Sequence, residues 1–84
     1  MAHYQYVAFY RPEEEMKNTS SVNQDSLLKA DGIIYGGEIF SLDTLRWMLP
    51  EMSEEKRKET FQKLLSQIIK EAEGAGFIAY LYFV

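Results

Sequence analysis

Few residues in this chain could carry out chemistry, and none of them stands beside a chemical partner. His3 is the single histidine among 84 residues and cysteine is absent, so the usual ligands of a zinc site cannot be assembled. Ser53 and Lys56 have the S-x-x-K spacing of some acyl-transfer enzymes, but the other motifs of those enzymes are missing. A serine in front of Glu54 and Glu55 is better explained as the N-cap of a helix.

Acidic residues and glycines also fail to form a catalytic or phosphate-binding pattern. Glu13, Glu14 and Glu15 lie in polar sequence, whereas catalysis by paired carboxylates needs one acid whose pKa is raised by burial. These acids are expected to be solvated, or to form an acidic patch that meets a basic partner. Gly36-Gly37 lacks the spacing of a phosphate-binding loop and is typical of a turn. We therefore expect no enzymatic activity, no cofactor and no metal.

The composition indicates a single globular domain over residues 1–84. Hydrophobic residues make up 46% of the chain, which is enough to build a core, and the formal net charge of −4 argues against binding to a phosphate backbone. The start of the chain has no basic and apolar leader, and the longest apolar run, residues 77–84, is too short for a membrane helix. The sequence predicts a cytoplasmic protein that binds neither nucleic acid nor membrane.

Two segments and a glycine pair indicate the β-structure. Segments 3–10 and 77–84 are dense in aromatic and β-branched residues, and both have apolar residues on both faces. Gly36-Gly37 separates the short runs 33–35 and 38–40, which predicts a tight hairpin because primed turns need positive φ. The alternative is one longer strand with a glycine bulge. Because segment 77–84 carries no charge, we expect it in the middle of the sheet or paired across a homodimer.

Two helices are predicted between the hairpin and the last strand. Ser41 caps a short helix over 42–49, which Pro50 ends, and Ser53 caps a long helix over 54–73. Apolar residues recur along the long helix at the spacing of one buried face. They are Phe61, Leu64, Leu65, Ile68, Ile69 and Ala72.

These elements predict an α+β fold, a small two-layer sandwich with an antiparallel or mixed sheet and both helices on one face. The uncertain part is 11–31, which reads as a loop or as a short helix capped by Asn23 and ended by Asp31-Gly32. If it holds a helix, the element order becomes the ferredoxin-like βαββαβ pattern.

The alternation of the first and last strands sorts their tyrosines onto one face. Val7, Phe9, Leu81 and Phe83 are expected to meet the helices, which leaves most of the tyrosines on the outer face. These are Tyr4, Tyr6, Tyr10, Tyr80 and Tyr82. Tyrosine tolerates a half-exposed position, but a contiguous aromatic face is also typical of a surface that binds a protein or a second copy.

Trp47 is the best single indication of a binding site. Leu42, Leu45 and Leu49 form the inward stripe of the short helix, and Trp47 projects about 140° round the axis from Leu42. An exposed tryptophan is enriched at interfaces. The alternative is that Pro50-Glu51-Met52 folds back over it.

The sequence as a whole predicts a non-enzymatic protein–protein interaction module. Small acidic α+β domains without catalytic residues occur among phage-encoded inhibitors and small bacterial regulators, an analogy at the level of composition and fold. Two alternatives remain. One is a small-ligand site between the sheet and the loop before Gly32, and the other is an aromatic sheet that contacts RNA, although Arg11 alone supplies positive charge beside the tyrosines.

Overall fold

The computed structural model describes residues 4–13 and 23–83. Its elements are β1 (Gln5–Tyr10), α1 (Gln24–Leu27), β2 (Gly32–Tyr35), β3 (Glu38–Ser41), α2 (Leu42–Met48), α3 (Glu54–Gly74) and β4 (Ile78–Phe83). The bounds agree with the predicted ones to within two residues. Positions 3 and 84, where strands were predicted to begin and end, lie outside the described residues, as do Glu14 and Glu15.

The four strands form one mixed sheet in the order β3-β2-β1-β4. β1 pairs in parallel with β2, while β1–β4 and β2–β3 are antiparallel. The predicted two-layer α+β fold is confirmed. The ferredoxin-like alternative shares the element order but not the pairing, because β1 and β2 are direct neighbours here and no strand splits the β-α-β unit. In the sheet formed by the described residues, β4 is an edge strand. The first alternative, a position in the middle of the sheet, is therefore wrong, and pairing across a homodimer stays a prediction.

The hairpin between β2 and β3 turns on two glycines with positive φ. Gly36 has φ 60° and Gly37 has φ 82°, the left-handed conformation that a primed two-residue turn requires at both positions. Tyr35 and Glu38 close the ladder directly before and after the turn. The predicted hairpin is therefore confirmed, and the alternative of one longer strand with a bulge is wrong.

Side-chain caps set the start of each helix, as the sequence predicted. Asn23 accepts a hydrogen bond from the backbone N–H of Asp25, and Ser53 accepts one from the N–H of Lys56. Ser41 forms a reciprocal capping box with Thr44. Each cap satisfies a backbone donor that the first helical turn leaves without a partner.

The core lies between the sheet and α3. Its sheet side is built from alternate residues of three strands, and its helix side follows the stripe at i, i+4, i+8. The buried contributors are Val7, Ile33 and Ala79 from the sheet, Phe61, Leu65 and Ile69 from α3, and Leu27, Ala30 and Leu45 from the intervening elements. Leu64, predicted in the buried stripe, is 37% exposed because it lies at the margin of that stripe.

Candidate functional site

The side of the sheet away from this core carries the five tyrosines that the alternation predicted. Tyr6 is opposite Tyr82, Ala8 is opposite Tyr80, and Tyr10 is opposite Ile78 in the β1–β4 ladder. Directly opposite residues share a face of the sheet. We call Tyr4, Tyr6, Tyr10, Tyr80 and Tyr82 the tyrosine face. Tyr82 is the most exposed of these five side chains, at 49%, whereas Tyr6 and Tyr10 are half-buried.

The rings of the tyrosine face pack on one another. Tyr4 and Tyr6 are stacked with their centroids 6.4 Å apart and their planes 8° from parallel. Tyr10 and Tyr80 meet edge to face at 5.7 Å. Ala8 lies between these pairs and is only 6% exposed. The rings therefore hold one another in place, which lowers the conformational entropy that binding would cost.

Tyr6 also covers a glycine in the neighbouring strand. A Cβ atom at Gly32 would lie 2.8 Å from Cδ1 of Tyr6 and 2.8 Å from the backbone oxygen of Phe40. Gly32 was predicted to end a helix, but it lies inside β2, where its missing side chain makes room for the ring. The sequence carried no sign of this role, because the contact joins residues 26 positions apart along the chain.

Trp47 projects from the outer side of α2 with 86% of its side chain exposed. The alternative that Pro50, Glu51 and Met52 cover it is not realised. Trp47 and Pro50 border one depression with Arg46, and Arg46 also borders a second depression together with Tyr4 and Tyr6. Arg46 thus borders both depressions, the one beside Trp47 and the one beside Tyr4 and Tyr6 at one end of the tyrosine face.

The positive charge of Arg46 is matched by carboxylates within the domain. Its guanidinium donates to Asp43 and to Glu54, with an Nη2–Oε2 distance of 2.5 Å to the latter. Arg57 reaches the same Glu54 at 2.8 Å and also donates to the backbone oxygens of Leu49 and Met52. These contacts tie α2, the link after it and the start of α3 together.

The basic cluster formed by Arg46 and residues 56–58 is therefore largely a structural feature. Arg46 and Arg57 point their donors at groups of this chain, and Glu54, Glu55 and Glu59 are interspersed with them. A recognition helix for DNA needs such side chains directed at phosphates or base edges. The arrangement therefore does not favour DNA binding by α2 and α3 as a helix-turn-helix.

The hydrogen bonds from Arg46, and then those from Arg57, lower the pKa of Glu54 from 4.5 to about 2. A depressed carboxyl pKa stabilises the fold above the unfolded-state value and loses that effect as pH falls toward the folded-state value. The contribution of Glu54 should therefore be complete above about pH 5 and fade between about pH 4.5 and pH 2.

We expect Glu54→Gln to have a lower melting temperature than the wild type at pH 7, and the difference to shrink as pH approaches 2. Thermal unfolding followed by circular dichroism over this pH range measures the gap. Glu55→Gln is the control, because Glu55 lies in the same first turn of α3 and its loss tests the helix-dipole effect alone. A gap that is constant with pH would contradict the proposed role of Glu54.

The remaining predicted site residues are only partly described. Glu13 is exposed, and Glu14 and Glu15 lie outside the described residues, so the acidic patch remains a prediction. The loop before Gly32 borders an open depression of about 290 Å³, whose other side is formed by α2 and α3, through Leu42, Lys58 and Phe61, rather than by the sheet as predicted. That volume is at the lower end of small-molecule sites.

Within residues 4–13 and 23–83, no cluster of three or more histidine and acidic side chains could hold a metal ion. No polar or charged residue of these ranges is buried. No helix in this part of the chain has the length and apolar character needed to cross a membrane.

Comparison with other proteins adds no relative. No known protein family, curated protein or solved structure matches this chain.

Proposed function

We propose that this protein is a non-enzymatic interaction module that binds another protein through the tyrosine face and Trp47, and so inhibits or regulates that partner. The observation that carries the proposal is the continuity of this surface. Five tyrosines lie on one side of the sheet, and Arg46, whose charge is matched within the domain, borders both the depression at one end of them and the depression beside a tryptophan that is 86% exposed. Tyr, Trp and Arg are the residues enriched at binding hot spots.

The chemistry of the surface favours a protein over RNA. None of the four strands contains a lysine or an arginine, whereas sheets that bind RNA combine stacking aromatics with positive charge at the phosphates. Arg11, the nearest basic residue in the sequence, lies over the ring of Phe77 at 4.8 Å and donates to the backbone oxygen of Ala75. A partner that presents apolar and neutral polar groups fits the tyrosine face better than a polyanion.

Trp47→Ala is expected to weaken partner binding strongly while leaving the fold intact. Replacing a highly exposed side chain changes the free energy of unfolding by no more than about 0.5 kcal/mol. Loss of a tryptophan hot spot costs about 2 kcal/mol of binding free energy, which is about a thirtyfold loss of affinity. Tyr80→Ala, on the other part of the surface, is expected to act in the same direction. Affinity capture from a lysate of the source cell, followed by titration of the captured protein, measures both effects.

Leu64→Ala is the matched control for these variants. Leu64 is a partly exposed apolar residue on α3, in the layer on the opposite side of the sheet, so its truncation should leave partner binding unchanged. If Trp47→Ala and Tyr80→Ala capture the same protein with unchanged affinity, the proposal is wrong. If nothing binds but a metabolite raises the melting temperature by several degrees, the small-ligand alternative takes its place.

A further inference from the structure

No strand among the described residues pairs with the outer edge of β4. The backbone N–H of Gln5 donates to the Asp31 carboxylate, and the backbone C=O of Gln5 accepts from the Asp31 N–H. Both backbone groups of Gln5 therefore point toward β2. Backbone groups alternate in direction along a strand, and those of Tyr6 and Ala8 therefore point toward β4. Their partners across the ladder, Tyr82 and Tyr80, point back toward β1.

The intervening residues of β4 consequently direct their backbone groups away from the sheet. These residues are Ala79, Leu81 and Phe83. An edge of this kind is a template for pairing with another strand.

The two edges of the sheet differ in how they are protected. The β3 edge has four residues, begins with Glu38 and runs directly into α2, and a short edge with a charge resists pairing. The β4 edge has six residues, IAYLYF, with no charge and no proline. Phe83 at its end is 63% exposed.

We propose that β4 pairs antiparallel with β4 of a second copy of this chain, which joins the two four-stranded sheets into one sheet of eight strands. A twofold pairing places the same segment opposite itself, so a charged strand would set like charges against each other. β4 contains no charged residue, and nothing in it opposes self-pairing. This inference stands independently of the protein partner proposed above.

The pleat and the hydrogen-bond pattern restrict the register of this dimer. Opposite residues must share a face of the sheet, and only Ala79, Leu81 and Phe83 offer outward backbone groups. Both conditions require the twofold axis to pass through a residue rather than between two. An axis at Leu81 pairs Leu81 with its own copy and Ala79 with Phe83 of the second copy, so that every outward group of β4 finds a partner.

The same register gives complementary side chains on both faces. On the tyrosine face, Tyr80 meets Tyr82 of the second copy, and aromatic cross-strand pairs of this kind are favourable. On the other face, the large Phe83 ring lies beside the small Ala79 of the second copy, which is already buried in its own core. The exposed apolar surface of Phe83 is thereby covered, and the tyrosine faces of the two copies become continuous.

Pairing between two β4 strands also limits the assembly to a dimer. A β4–β4 contact uses this edge on both copies, so the assembly closes as a dimer and only the protected β3 edges remain outside. Pairing of β4 with β3 of another copy would instead leave a free β4 edge at each step and grow into a filament. The charge and shortness of β3 oppose that outcome.

Sedimentation velocity over a range of concentrations tests the proposal. The wild type is expected to sediment at twice the chain mass and to dissociate on dilution. Phe83→Lys should raise the dissociation constant about tenfold or more, because each substitution acts twice in a symmetric dimer. Phe83→Pro should do the same by removing an outward N–H that no bond among residues 4–13 and 23–83 uses. Circular dichroism confirms that both variants are folded.

Ile39→Lys is the matched control, since Ile39 lies on the β3 edge and is 59% exposed. It should leave the dissociation constant unchanged, as should Trp47→Ala, which separates this test from that of the protein partner. A wild type that is monomeric at the highest concentration reached would overturn the proposal. So would filaments, or an Ile39→Lys effect equal to that of Phe83→Lys.

Discussion

Gly32→Ala is expected to destabilise the protein by about 1–3 kcal/mol, the usual cost of inserting a methyl group into a packed site. The new Cβ would lie 2.8 Å from the backbone oxygen of Phe40 and 2.8 Å from the ring of Tyr6. The ring can rotate away, but the carbonyl belongs to the strand that pairs with β2, so the β2–β3 ladder must shift. Urea unfolding followed by circular dichroism measures the change.

Gly74→Ala is the matched control, and it is expected to change the stability of the protein in the opposite direction. Gly74 lies at the end of α3, its φ is not positive, and no atom lies within 4 Å of an added Cβ. Alanine there restricts the unfolded chain and should stabilise by up to about 1 kcal/mol. If both variants shift the unfolding midpoint in the same direction, Gly32 has no special role in packing under Tyr6.

Leu65→Ala is expected to cost about 2–5 kcal/mol, a large part of the stability of a domain this small. Leu65 is 1% exposed and packs at the centre of the cluster formed by α3 and the sheet. Its truncation removes apolar contacts and leaves a cavity that the surrounding helix and strands cannot fill. Thermal unfolding should show a broad transition at a much lower temperature.

Leu64→Ala is the control for burial, because it removes the same atoms from the preceding residue of the same helix. Leu64 is 37% exposed, and we expect a loss of roughly 1 kcal/mol or less, since part of its side chain stays in water. Equal losses for the two variants would mean that α3 does not present the face seen in the structure.

The strand and helix positions, and the face on which the tyrosines lie, follow from local chemistry. Alternation along residues 5–10 and 78–83 determines which side chains share a face without any knowledge of the neighbouring strands. Caps at Ser41 and Ser53 and the stripe of α3 are likewise local. For these features the sequence was sufficient.

The order of the strands and the roles of single residues depend on contacts between distant segments. Apolar residues on both faces of β4 suggested a central strand. Among the described strands, however, β4 has one neighbour, β1, and lies at the edge of the sheet. Arg57 reads as one basic residue among several, but in the structure it binds the carbonyl of Leu49 at the end of α2 and that of Met52 in the link that follows. Neither the periodicity of one segment nor its composition specifies which other segment lies beside it.

The pairing of β1 with β4 joins the two most distant strands of the chain, from Gln5 opposite Phe83 to Tyr10 opposite Ile78. During synthesis, β1 leaves the ribosome before β4, and its β4-facing edge stays without that partner until β4 has emerged from the ribosome. The complete sheet can therefore form only after β4 has emerged. A chain stalled inside α3 would expose the backbone groups of Tyr6 and Ala8 to other strands, and unpaired strand edges of this kind favour aggregation.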